Sequence, residues 1–234
     1  VSTAGKVAIG WLDGGQVEGE FALHLVALIL HDRRSESRIG DVFRVAGCYI
    51  DSGRCSIVRD FLDGSDEWLF LLDSDMLFDA DSLDRLLASA DPIERPVVAG
   101  LYFSGGRMGG PLLPLVYRLG DDGHTHILWD YPRDTVIPID ATGGGFILWH
   151  RSVLESMGEA YASLPDGSKN PLPWFCDEQR DGVAYGEDIV ACLRARQLGF
   201  GVFMDTSVKA LHKKPAYLSE AFYDQLRQAQ QEAG

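Results

Sequence analysis

Nine residues at 67–75, EWLFLLDSD, restrict the fold of this chain more than any other segment. Successive side chains of a strand point to opposite faces, so a run that is apolar at every position must be covered on both faces. That condition is met in the middle of a sheet with helices above and below. The run ends on two carboxylates, Asp73 and Asp75. A buried strand that gives way to acids puts charge at the carboxyl end of a sheet, where α/β proteins bind their ligands.

The flanking segments fit such a sheet. At 234 residues and 46% hydrophobic, the chain can bury a real core, which excludes disorder and predicts one domain, or one domain with an appended subdomain. KVAIGWL (6–12) reads as a first strand ending in Asp13-Gly14-Gly15, and VEGEFALHLVALIL (17–30) as a mostly apolar, buried helix. FRVAGCYI (43–50) reads as a second strand, SGRCSIVRDFL (52–62) as a second helix, and DADSLDRLLASA (79–90) as a third, capped at Asp81 or Ser82. Strand–helix units in succession predict a parallel, doubly wound first half.

The second half is less regular. VVAGLYF (97–103) reads as a strand, followed by the glycine-rich SGGRMGGP. LPLVYRL (113–119) and HILWDY (126–131) then read as antiparallel additions about the turn GDDGHT. TVIPIDATGGGFILWH (135–150) is interrupted by three glycines, and a helix begins at RSVLESM. Residues 161–186 form a long Pro/Gly-rich loop; loops of that length are usually functional or disordered, and Trp174 and Phe175 favour the first, with a surface loop anchored by a buried Trp-Phe pair as the alternative. EDIVACLRARQLGF (187–200) predicts an amphipathic helix ended by Gly199, GVFMDTSVKALH (201–212) a strand, and LSEAFYDQLRQAQQE a closing surface helix.

Charge and composition narrow the function classes. Acids outnumber bases 35 to 21, for a net charge of −14, and such a surface repels phosphate backbones, which disfavours nucleic acid as the main ligand. The longest apolar stretch, FALHLVALIL at 21–30, is far shorter than the roughly 20 residues of a membrane span. VSTAGKVAIGWL shows no secretory signal pattern, so no membrane association is expected. Cys48, Cys55, Cys176 and Cys192 make no CxxC pair; free thiols in a reducing compartment, hence the cytoplasm, are expected. The dinucleotide GxGxxG fingerprint, the GxSxG elbow and the P-loop are all missing.

Several residues can carry chemistry. Asp73 and Asp75 repel each other, and a cation is the usual remedy. Mg2+ and Mn2+ take oxygen ligands and leave positions open to a diphosphate, so the pair suits a metal–nucleotide complex. Acids in that place also serve to solvate a turn and cap the next helix. Tyr185-Gly186-Glu187-Asp188 stands at the start of a helix, where acids partner the dipole, or where a carboxylate in a cleft takes a proton from an attacking hydroxyl. His212 closes the last strand as a metal ligand or as an edge histidine. His124 and His126 share a strand face or decorate a turn.

Taken in order, the Gly turn after the first strand, SGRCSIVRDFL, LLDSD, ATGGGF, GEDIVACLRARQLGFGV and ALH resemble the glycosyltransferases of the type-A fold, over nearly the whole chain. These are soluble, family-2-like nucleotide-sugar transferases. GLYFSGG and PWF…GED are similar to small transferases encoded by bacteriophages and bacteria, which would place the protein in a bacterial or host cytoplasm. The resemblance implies a single α/β domain over 1–234, with a Rossmann-like mixed central sheet flanked by helices. Its nucleotide-binding half would be 1–95 and its acceptor and catalytic half 96–234.

The resemblance also implies roles. Asp73 would contact the ribose or metal, Asp75 would bind Mn2+ or Mg2+, and His212 would complete the coordination. Asp188 would be the base, with Glu187 beside it in the catalytic pair. Trp11, Asp13 and Arg54 would hold the donor, the last two against nucleobase and ribose. Gly144 and Gly145 would leave room for sugar and acceptor. Trp174 and Phe175, just before the base, are expected to stack on the acceptor and close over the donor. The QxxRW motif and membrane spans of the processive synthases are missing, so a single transfer is implied: one sugar from a UDP or GDP sugar to a hydroxyl on a protein, glycan, small molecule or modified DNA base. Two alternatives remain open. A sugar-1-phosphate nucleotidyltransferase would need a GxGxRxxP-like loop that WLDGGQVEGE does not supply. The other is a non-catalytic nucleotide-sugar or glycan-binding module.

Overall fold

The computed structural model describes residues 6–105 and 112–214; the closing helix expected at 218–232 and most of SGGRMGGP lie outside the described residues. The first elements in chain order are β1 (Val7–Asp13), α1 (Gly19–Ser35), β2 (Ile39–Ala46), α2 (Ile50–Asp63), β3 (Trp68–Asp73), β4 (Met76–Phe78), α3 (Ser82–Ser89) and β5 (Val97–Leu101). The short strands β6 (Phe103–Gly105), β7 (Leu112–Pro114), β8 (Tyr117–Leu119), β9 (Thr125–Ile127) and β10 (Val136–Ile139) come next. They are followed by β11 (Phe146–His150), α4 (Arg151–Ala160), β12 (Glu178–Arg180), β13 (Val183–Tyr185), α5 (Glu187–Gln197) and β14 (Val202–His212).

The main sheet runs β10-β14-β5-β11-β3-β1-β2. β1 pairs in parallel with both β2 and β3, as the strand–helix succession predicts. β11 is antiparallel to both neighbours, β3 and β5, which makes the sheet mixed. β3 lies inside it with Trp68 through Leu72 buried. On one face Leu69 and Leu71 join a core with α2, α4 and α5; on the other Trp68, Phe70 and Leu72 join residues of α1 and α3. Coverage on both sides is why the run has no polar face. Among the described residues no helix is long and apolar enough to cross a membrane, and all four cysteines are free thiols.

Three expectations are corrected. Helix α1 is not buried all round: it lies on the sheet by one stripe, Phe21, Leu25, Leu28 and Asp32, and leaves Leu23, Val26 and Leu30 exposed. β2 begins and ends four residues before the predicted strand. Gly47 takes a φ of 70°, left-handed backbone that stops a strand and turns the chain into α2. Helix α5 lacks the polar face of the amphipathic helix expected at 187–200, since every residue from Ile189 to Ala195 is buried. That anchorage holds its first turn, with Glu187 and Asp188, in a set position.

The loop at 161–186 departs most from expectation, because Trp174 and Phe175 belong to the core and offer no ring face to an acceptor. Trp174 Nε1 donates to the Leu154 carbonyl at 2.6 Å, and its ring lies over Gly158, where a Cβ would stand 3.1 Å away. Phe175 is fully buried edge-on to Trp149, 6.0 Å between ring centres. The pair fastens the loop to α4. Trp174→Phe should therefore lose one hydrogen bond and some contact, about 2 kcal/mol in all. The melting temperature should fall by about 4–8 °C with donor turnover per folded molecule unchanged. A transfer rate that falls much more than donor hydrolysis would restore the acceptor role.

Candidate active site

The functional side chains gather where the parallel strands end. Leu12 of β1 stands in register with Asp73 of β3, so Asp13 and Asp73 both sit at the carboxyl edge. β4 then doubles back and pairs antiparallel with β14, which sets His212 opposite Met76 and therefore beside the turn residue Asp75. His212 Nε2 is 3.2 Å from Asp75 Oδ2. The other ring nitrogen, Nδ1, is 3.0 Å from the Phe103 carbonyl. A carbonyl only accepts, so Nδ1 carries a hydrogen and donates it there, while Nε2 is turned to Asp75. Lys214 Nζ reaches the same Asp75 oxygen at 2.7 Å. Burial works to raise the Asp75 pKa, but His212 and Lys214 outweigh it and bring it down to about 2.

A second group lies behind this pair. Arg54, carried by α2 and 4% exposed, gives Nη2 to Asp73 Oδ1 at 2.8 Å and Nη1 to Glu187. Asp188 takes backbone N–H groups on both oxygens, Gly144 at 3.2 Å and Ile189 at 2.7 Å. The buried Tyr102 hydroxyl accepts from the Gly145 N–H at 3.0 Å, and its ring stands edge-on to His212, 5.5 Å between centres. The glycine run lets the backbone come this close. A Cβ on Gly145 would stand 2.5 Å from the Asp73 carboxylate, and one on Gly144 would collide with the Arg54 guanidinium. The room expected above these glycines for sugar and acceptor is thus filled by Arg54 and Asp73.

Three carboxylates share one guanidinium here, so the cluster is short of positive charge. Burial raises the pKa of both Asp188 and Glu187, and the nearby Arg54 offsets it only in part. Burial also works to lower the Arg54 pKa, yet Asp73, Glu187 and Asp188 push it higher and keep the guanidinium charged. Burial first, then the charges of Asp73 and Asp188, lifts Tyr102 well above its ordinary value, so it stays a neutral phenol.

A cavity of about 350 Å³ opens beside Asp75, lined by Leu12, Asp13, Gly14, Cys48, Ile50, Asp73, Ser74, Asp75 and Lys214. Asp13 is gripped by Arg44 through two hydrogen bonds, 2.7 and 3.0 Å, which hold its pKa below the usual range. A second cavity of about 400 Å³, lined by Glu178, Tyr185 and Gly186 among others, opens beside the start of α5.

Asp13, Asp73 and Asp75 thus share one cavity, and Glu187 and Asp188 adjoin Asp73 through Arg54. Arg54 itself is sunk behind the cavity, supported by the Phe175 ring at 5.8 Å, and meets carboxylates where the sequence suggested nucleobase and ribose. Trp11 does not line the cavity; it packs on Phe21 beneath α1, 6.0 Å between ring centres. His124 and His126 do not act together, since one meets the Tyr185 hydroxyl and the other Asp122. Among the described residues no three His, Cys, Asp or Glu side chains gather as a metal cage, so Asp75 and His212 stand as a pair. Tyr102, Arg44, Cys48 and Lys214 were missed. Tyr102 sits in the GLYFSGG segment, but nothing there separates it from a core tyrosine.

No family model and no curated protein sequence matches the chain. Among solved structures it is similar to A197 from STIV, at a TM-score of 0.55 and 16% identity, over 90% of this chain and 86% of that one. It is also similar to GalNAc-T7, solved with UDP, GalNAc and Mn2+, at a TM-score of 0.58 and 11% identity over 91% of this chain. The chain spans 44% of the length of GalNAc-T7. The likeness shows the fold, a mixed α/β sheet flanked by helices of the type-A glycosyltransferase kind.

Proposed function

We propose that the chain moves one sugar from a UDP or GDP sugar to a hydroxyl acceptor with the help of Mn2+ or Mg2+. The observation that carries this reading is the meeting, at one sheet edge, of the Asp75–His212 pair on the cavity with the Asp73–Arg54–Glu187–Asp188 cluster beside it. The presence of UDP, GalNAc and Mn2+ in a protein of similar fold agrees with it.

The donor set fits a divalent ion. Asp75 Oδ2 and His212 Nε2 stand 3.2 Å apart. Adjacent ligands of a six-coordinate ion with bonds of about 2.1 Å stand roughly 3 Å apart. The Phe103 carbonyl fixes the histidine tautomer as metal-binding imidazoles require. With only two protein ligands, diphosphate and water oxygens would fill the other positions. A bound ion would neutralise the leaving diphosphate, the largest charge that develops in the transition state.

The chain's own residues do the rest. Asp188 takes the proton of the acceptor hydroxyl as its oxygen attacks the anomeric carbon in line with the departing diphosphate. Its raised pKa brings it nearer the operating pH, which suits a general base. Arg54 holds Asp73 and Glu187 beside it, and the acceptor approaches through the cavity next to Gly186.

Hydrolysis of UDP and GDP sugars without acceptor tests the reading. Nucleoside diphosphate release should be stimulated by Mn2+ and stopped by chelator. Asp75→Ala should lower it at least about tenfold with the fold retained. Undiminished turnover by that variant at low metal defeats the metal assignment. Tight binding of a nucleotide sugar with no turnover would make the chain a binding module.

A further inference from the structure

We propose that Lys214 is a built-in counter-ion for the metal site: its ammonium holds the cation position on Asp75 before the donor binds, then passes to the diphosphate when metal and nucleotide arrive. The inference rests on the metal-dependent reading above.

Lys214 Nζ lies 2.7 Å from Asp75 Oδ2, the same oxygen that faces His212 Nε2. A divalent ion ligated by that oxygen cannot share it with an ammonium at hydrogen-bond distance, because the two cations would stand only a few ångströms apart and repel. One of them must leave. The neighbouring Lys213 shows that only the side chain needs to move. Its backbone N–H donates to the Asp75 carbonyl at 2.8 Å, and its Nζ pairs with Glu18 and Glu20 at 2.9 and 2.8 Å. The backbone around Lys214 is therefore strapped to the turn, while its own four-carbon stem can swing.

The destination follows from the other charges in the cavity. Asp13 is taken by Arg44 through both oxygens, and the single charge of Asp73 is already drawn to Arg54, which it shares with Glu187 and Asp188, so neither strongly invites a displaced ammonium. The anion that enters with the metal, a nucleoside diphosphate, does. Two consequences of opposite sign follow. Lys214 should oppose binding of a bare divalent ion and favour binding of the nucleotide.

Mn2+ binding, followed by electron paramagnetic resonance with the full chain, tests both, first alone and then with UDP or GDP. Lys214→Met should bind Mn2+ alone at least about threefold more tightly, and bind the nucleotide in the presence of Mn2+ at least about threefold more weakly. Lys214→Arg should stay close to wild type in both. Lys213→Met, which loosens the strap, should not produce the opposed pair of changes. Mn2+ affinity that is unchanged or lower in Lys214→Met, with a normal thermal melt, overturns the proposal. A wild-type chain that binds no Mn2+ even with UDP or GDP overturns the metal reading itself and this proposal with it.

Discussion

Asp188→Asn should slow sugar transfer by about 10²- to 10⁴-fold while nucleotide affinity stays nearly constant. The substitution keeps size and shape but removes the site that accepts the proton. Asp188 is held by the N–H groups of Gly144 and Ile189, at 3.2 and 2.7 Å, and does not line the cavity beside Asp75. Loss of binding with little loss of rate would therefore contradict the assignment. The pH profile gives a second check. A general base works only when deprotonated, and burial lifts the Asp188 pKa above the ordinary aspartate value of about 4. The wild-type rate should fall on acidification through a midpoint higher than that, and the residual activity of Asp188→Asn should lack this limb. A modest rate loss would point to retention of anomeric configuration, with the donor phosphate taking the proton and Asp188 orienting the acceptor.

Arg54→Met should destabilise the fold by about 3–5 kcal/mol at neutral pH, the usual result of removing one partner from a buried charge cluster. Asp73, Glu187 and Asp188 would be left facing one another without a cation. The loss should also depend on pH. Glu187 and Asp188 hold their protons more tightly folded than unfolded, and Arg54 is the main charge that limits this shift. A carboxyl whose folded pKa is raised stabilises the fold below its unfolded pKa, and that stability is lost as pH rises through the folded value. Without Arg54 the folded values climb further, so the deficit should be greatest near pH 7 and shrink toward about pH 5. Denaturant unfolding at both pH values checks this. An equal deficit at both would mean that Arg54 serves through packing alone.

Much of the scaffold could be read in the residues themselves. A strand buried on both faces must be apolar at every position, so WLFLL announces the centre of the sheet without any knowledge of its neighbours. The acids that end it, and the acids that open α5, are legible because strand ends and helix starts are local features marked by local chemistry. Gly143, Gly144 and Gly145 are similarly visible, although the sequence does not say what comes close to them.

What the strands pair with, and which way side chains meet, was decided by the tertiary structure. The antiparallel insertion of β11 cannot be inferred from an apolar run, since such a run suits either direction. Trp174 and Phe175 looked like a lid because a Pro/Gly-rich loop normally runs over the surface; the cleft between α2 and α4 drew them inward. Asp75 and His212 meet only through the register of β4 on β14, and Arg54 joins Asp73 to Glu187 only because α2 and α5 pack on the same face of the sheet. Lys213 and Lys214 are identical in type and adjacent in sequence, yet one straps the chain to α1 and the other reaches Asp75. Periodicity records which residues must avoid water, whereas partners distant along the chain are chosen by sheet register and helix packing, and most of the candidate site is built from such partners.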